Sequence, residues 1–328
     1  MITRAEVEKL GAFHAARPEI LSLYLNIPDS AAEPGRLSCR VTELIATAEA
    51  GAGPSVCLGE EDRFSALELA AAAAHDWPGR SVAIFACGDV GLEEVLPLPG
   101  TQPERAVLGV RPHIRPLLNV LREYPAYRAA VLDGPRTWVF RAQGDEITSV
   151  PERELGRGER EPLVIGGRDD EVRLLLASLT PADRAAVAGC FTTGAGLPTP
   201  ARVLELATPV IAQWAERRAS ILAREILDTP PTGLTAVGLP ACLAAVSAGS
   251  ADALTVPASG LVPGYECGRC GTLSLTPESC QDWGTAPLPV PDVIEEMVAR
   301  VLEDGGNVCV TDDASAPVAA RLGLSATR

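Results

Sequence analysis

Strand-length apolar runs alternate with segments of helical period along the whole of this chain, and that alternation permits few architectures. A sheet covered by helices is the arrangement that buries both sets of apolar positions, so the fold class expected is α/β. Val7, Leu10 and Phe13 recur at helical spacing before Pro18, and Ile20 to Ile27 reads as a buried strand. Helices are predicted near 37–48 and 64–77, with a strand over 80–87 between Pro78-Gly79 and Gly88. Val95 to Pro99 and Ala106 to Leu108 read as edge strands, because proline cannot donate to a central ladder. Pro112 to Leu118 opens a short helix that Tyr124-Pro125 closes.

From Tyr127 the pattern changes to a three-strand meander, Ala129 to Leu132, Thr137 to Arg141 and Glu146 to Val150, with turns at Asp133-Gly134-Pro135 and Gln143-Gly144-Asp145. A charged, glycine-containing loop over 151–162 precedes a strand at 163–165, a helix at 169–179, a strand at 186–191 and a long amphipathic helix at 199–227. Asp228 to Gly233 is a linker by composition. Beyond it come a helix at 240–248, a strand at 253–257, a cysteine-bearing insertion, a helix at 291–302 and a strand at 307–310. At 328 residues the chain exceeds a single core of ordinary size. Three domains are expected, over 1–124, 125–229 and 230–328, with the insertion at 265–284.

Bulk properties exclude several classes. No apolar run approaches a bilayer span, and Met1 to Glu8 reads as a mixed-charge helix start, not a cleavable leader, so a cytoplasmic location without membrane contact is expected. Cys57, Cys87, Cys190 and Cys242 stand alone in apolar segments and read as buried free thiols. A net charge of −15 disfavours a simple nucleic-acid-binding domain, although one local arginine patch can still dock on a ribonucleoprotein. There is no GxxxxGK[ST] loop, and Gly194-Ala195-Gly196 does not fit a dinucleotide fingerprint, so no nucleotide cofactor is expected.

Cys267-Gly268-Arg269-Cys270-Gly271 is a CxxC knuckle of the kind zinc ribbons use. Cys280-Gln281-Asp282-Trp283-Gly284 matches it as a second knuckle, with tryptophan in place of a fourth cysteine. Cys267, Cys270 and Cys280 are thus an incomplete metal site, open to zinc binding, to a degenerate ribbon held by packing over which Trp283 would lie, and to a redox dithiol. Two arginine clusters are candidates for RNA: Arg153, Arg157 and Arg160 in the 151–162 loop, and Arg217, Arg218 and Arg224 on the long helix. Both are interleaved with glutamates that could instead form solvated ion pairs. His113 lies in Arg-Pro-His-Ile-Arg-Pro, where no nucleophile or carboxylate accompanies it in sequence, so a structural role between domains is expected.

Leu21 to Ile27 with Arg111 to Leu118, Ala130 to Gly134 with Phe140 to Gly144, and Thr235 to Leu239 with Leu243, Ala244, Ala245 and Gly249 before Asp252 to Val256 are three segments that together resemble the bacterial branch of the archaeo-eukaryotic release-factor and Pelota superfamily. The resemblance implies an α/β N-terminal domain, a ribonuclease-H-like middle domain and an L7Ae-like α/β/α third domain carrying a degenerate zinc-ribbon-like insertion. It also implies the ribosome as partner, in stalling, rescue or hibernation. Active members hydrolyse peptidyl-tRNA with a Gly-Gly-Gln tip on the loop that corresponds to 151–162, and that loop holds no glutamine here. The glutamines of the chain are Gln102, Gln143, Gln213 and Gln281. Gly166-Gly167-Arg168 imitates the tripeptide, but a tight helix start is expected to explain both glycines. No catalytic residue is therefore expected. Hydrolysis through a substitute residue in the loop, and a protein-interaction module that has left translation, are the alternatives; the acidic charge favours the latter.

Overall fold

A computed structural model of the chain describes residues 2–28, 34–52, 56–152, 161–193, 198–227, 234–278, 280, 283–311 and 317–323. It is a mixed α/β structure with several sheets, in two compact units: Val120–Ser220, and residues 2–119 together with 221–328. Among the described residues no helix is long and apolar enough to cross a membrane.

The chain opens with α1 (Arg4–Gly11), shorter than the sequence suggests, whose Thr3 cap and Glu6 bond reciprocally. Then come β1 (Ile20–Asn26), α2 (Pro34–Ala52), α3 (Glu60–Asp76), β2 (Ser81–Cys87), β3 (Leu92–Leu98), β4 (Arg105–Gly109) and α4 (Arg115–Glu123). The sheet order is β3-β2-β1-β4, all antiparallel, so the two strands expected at edges are the edges. Alternation along β1 separates two environments. Leu21, Leu23 and Leu25 are fully buried in a core with Val41, Ile45, Ala66, Ala70 and Ala73 of α2 and α3. Ser22 and Tyr24, of the opposite parity, bond the backbone of His113: the Ser22 hydroxyl accepts from its N–H at 2.8 Å, and the Tyr24 hydroxyl donates to its carbonyl at 2.6 Å.

The second unit contains β5 (Tyr127–Asp133), β6 (Arg136–Gln143), β7 (Glu146–Val150), β8 (Leu163–Gly167), α5 (Asp169–Ser178), α6 (Pro181–Ala185), β9 (Val187–Thr192) and most of α7 (Pro200–Leu227). Its order is β7-β6-β5-β8-β9, with the first three antiparallel and β8 and β9 running parallel to β5. Val203, Ala207 and Ile211 of α7 pack on Ala129, Val131, Phe140, Val164 and Phe191. Gly166 and Gly167 do not open a helix, as expected above, but end β8, where a Cβ on Gly166 would lie 2.3 Å from the Phe191 ring. Close strand-to-side-chain approach is what requires glycine there.

The last segment supplies β10 (Thr235–Val237), α8 (Leu239–Ser247), β11 (Ala251–Pro257), β12 (Gly264–Glu266), β13 (Leu273–Ser274), β14 (Leu288–Val290), α9 (Val293–Glu303), β15 (Asn307–Thr311) and β16 (Ala319–Leu322). The main sheet runs β10-β16-β11-β15, and a small one runs β13-β12-β14. Helix α9 is buried at Val293 through Ala299 without a break, and its N-cap Asp292 accepts from the Ile294 N–H. A helix buried all round should be apolar all round. Glu295 and Glu296 break that rule.

Candidate functional site

The insertion is built on two turns of one pattern. In the first, the Cys267 N–H donates to the Thr272 carbonyl at 2.9 Å and the Gly271 N–H to the Cys267 carbonyl at 2.7 Å. In the second, the Cys280 N–H donates to Thr285 at 3.0 Å and the Gly284 N–H to Cys280 at 2.7 Å. Gly271 and Gly284 have φ of 73° and 62°, which only glycine adopts without strain. Cys270 and Trp283 therefore occupy matching positions.

The three sulfurs lie within 4.8 Å of one another, and those of Cys270 and Cys280 are 3.4 Å apart. Cys267 Sγ is 3.2 Å from the Thr285 hydroxyl and Cys270 Sγ 3.1 Å from that of Thr272. The Thr285 hydroxyl, with the backbone N–H groups of Cys270 and Arg269, lowers the Cys267 thiol to about 6. Such a donor set fits three corners of a tetrahedral thiolate site. Trp283 cannot supply the fourth. Trp283 is 51% exposed and its ring lies under the Arg269 guanidinium at 4.2 Å, so it packs against one arginine of the first turn instead of covering the hairpin. Gln281 and Asp282 lie outside the described residues.

A second cluster joins the first and last segments of their shared unit. Arg115 is fully buried; it pairs with Asp292, reaches Glu295 through Nε at 3.2 Å, and donates to the carbonyls of Pro257 at 2.9 Å and Gly260 at 2.6 Å. Glu295 also accepts from the N–H groups of Ile114 and Arg115, at 2.6 and 3.2 Å, and its Oε2 is 2.8 Å from His113 Nδ1. Burial pushes the Glu295 carboxyl up, but His113, Arg115 and the Ile114 N–H together hold it below the ordinary value. Asp292 goes the other way, because for it burial outweighs Arg115 and His113. Arg111 reaches Glu296 at 3.0 Å, pairs with Glu303 and donates to the Gly11 carbonyl at 3.1 Å. Burial first, then repulsion from Glu266, raises Glu296 to about 8 against the pull of Arg111 and Arg300.

His113 thus has two carboxylates beside it, contrary to the expectation from sequence, because α9 brings residues some 180 positions away. His113, Asp292 and Glu295 present ligand atoms within 4.8 Å of one another, yet the cation among them is already Arg115. These contacts fasten residues 111–115 to α9 and its cap.

The remaining candidates are dispersed. Arg153, Arg157 and Arg160 lie outside the described residues. Arg217, Arg218 and Arg224 are exposed on α7. Arg217 donates to the Ala188 carbonyl at 3.4 Å and Arg218 lies 5.5 Å over the Trp214 ring. Among the described residues, no ion pair joins Arg217 or Arg218 to Glu216. Of the lone cysteines, Cys87 and Cys242 are buried as expected, whereas Cys57 and Cys190 are exposed. Cys190 stands on β9, which among the described residues is an edge strand of its sheet.

No protein-family model and no curated protein sequence matches the chain. Solved structures similar to it include an archaeal translation termination factor, aRF1, with 15% identity over 98% of each chain and a TM-score of 0.24. Pelota from Archaeoglobus fulgidus is 12% identical over 77% of this chain and 82% of its own, with a TM-score of 0.35. Dom34 of S. cerevisiae, a translation termination-like factor, is 9% identical over 74% of this chain and 79% of its own, with a TM-score of 0.40.

Proposed function

We propose that the protein is a ribosome-associated factor of the release-factor and Pelota type that does not hydrolyse peptidyl-tRNA. What carries the proposal is the three sequence segments that resemble the superfamily in a consistent order, taken with a 151–162 loop that contains no glutamine. The sheet order β7-β6-β5-β8-β9, a meander followed by two parallel strands, supports a ribonuclease-H-like middle domain over 125–229. The mixed sheet β10-β16-β11-β15 flanked by α8 and α9 supports an L7Ae-like third domain over 230–328, after an N-terminal domain over 1–124. Correct placement of a reacting water supplies much of the rate in such a hydrolysis, and the loop lacks the glutamine that does this in the active members of the superfamily.

In the same proposal Cys267, Cys270 and Cys280 hold zinc through three thiolates, and the metal ties the two turns of the insertion together. Sedimentation of lysates from stressed cells tests the ribosomal part: the protein is expected in ribosomal fractions, and its absence from all of them refutes the proposal. Labelled peptidyl-tRNA on stalled ribosomes tests the rest. No peptide release is expected; release abolished by replacing residues 151–162 would establish hydrolysis by a substitute residue.

A further inference from the structure

We infer that Cys270 and Cys280 form an oxidisable pair that hydrogen peroxide closes into a disulfide, leaving Cys267 outside the bond. Their sulfurs are 3.4 Å apart, so closure to a bond of about 2.05 Å needs little more than a shift of the two turns. The turns are tied to themselves, each by its own pair of backbone hydrogen bonds, and Gly271 and Gly284 are the joints on which they end. Reagent access distinguishes the three thiols: Cys270 is exposed, Cys280 half-buried and Cys267 buried with 2% of its surface accessible. In a closed four-cysteine ribbon a metal would hold all the sulfurs; Trp283 at the fourth position leaves this set open on one side.

The steps balance without any further redox partner. Hydrogen peroxide transfers one oxygen to the Cys270 thiol, giving a sulfenic acid and water. The Cys280 sulfur then attacks the sulfenic sulfur, an S–S bond forms, the S–O bond breaks, and the hydroxyl leaves with the thiol proton as a second water. Two thiols are oxidised and one peroxide is reduced to two waters. In a reducing compartment such a bond is transient, which suits an oxidation mark better than a structural staple. The inference rests neither on ribosome binding nor on zinc.

Mass spectrometry of the full-length protein tests it directly. After reduction, chelator treatment and exposure to hydrogen peroxide, free thiols are blocked with N-ethylmaleimide and the chain is cut with trypsin. Cleavage after Arg269 and Arg300 places Cys270 and Cys280, but not Cys267, on one peptide. That peptide is expected to be lighter by two hydrogens and to carry no maleimide, and dithiothreitol before blocking should return it to the doubly modified form. A bond from Cys267 to either sulfur, sulfinic acid on Cys270 without a disulfide, or full alkylation of both sulfurs overturns the inference. In Cys280→Ser, Cys270 should run on to sulfinic acid, while a disulfide persisting at Cys270 would identify the wrong partner.

Discussion

Single side chains decide most at the joint within the unit formed by residues 2–119 and 221–328. Arg115 has no surface exposure and faces two carboxylates and two carbonyls, so its removal strands charge that water cannot reach. Arg115→Ala should destabilise by about 3–5 kcal/mol, read as a lower urea midpoint at neutral pH. Glu296 carries a pH signature. Its folded value of about 8 lies above the ordinary 4.5, so over that window the folded chain keeps a proton the unfolded chain has lost. Unfolding then releases a proton, and stability falls as pH rises from about 4.5 to 8. Glu296→Gln removes the titration and should gain on the parent by at most about 4 kcal/mol at pH 8, with the gap closing near pH 5. Thermal unfolding at the two pH values measures it, and a gap independent of pH would show that the carboxyl is not perturbed.

Among the elements, the paired turns of the insertion are the most informative, because one hydrogen-bond pattern repeats on two stretches of sequence that share only the first cysteine, the glycine and the threonine. Position 283 is thus where a fourth sulfur would enter. Trp283→Cys should retain zinc at least ~10-fold more tightly against a competing chelator, whereas Trp283→Ala should not. An unchanged affinity in Trp283→Cys would mean that the second turn does not aim this position at the other sulfurs. Helix α7 shows packing overriding a local rule: Pro209 lies inside it, yet the helix continues because Val203, Ala207 and Ile211 are anchored on the sheet.

Taken as a whole, the chain carries a net charge of −15, so a polyanionic partner can be met only through a local basic face. In the function proposed above, Arg217 and Arg218, exposed on α7, are candidates for that contact, and Arg224 is a further one. Replacing all three with glutamate should remove the protein from ribosomal fractions at low salt while destabilising the fold by at most about 2 kcal/mol, so that it remains folded at 25 °C. If ribosomal sedimentation survives the triple substitution, another face makes the contact.

The alternation of strand and helix patterns, the two edge strands of the first sheet, the meander over 129–150 and the cysteine knuckle were legible in the sequence, because each is written in neighbouring residues. Strand β16 was not: Ala319 to Leu322 is too short and too weakly apolar to announce itself, and becomes a strand only by pairing with both β10 and β11. The charged joint was hidden for the same reason. Arg111 to Arg115 and Asp292 to Glu303 are ordinary local sequences, a proline-flanked basic segment and a capped helix, and nothing short-range links them. Sequence by itself determined the absence of glutamine from the 151–162 loop and the tryptophan at the fourth knuckle position. Only tertiary structure decided that His113 and Arg115 meet Asp292 and Glu295, because burying charge is tolerable only when the opposite charge arrives from elsewhere in the chain.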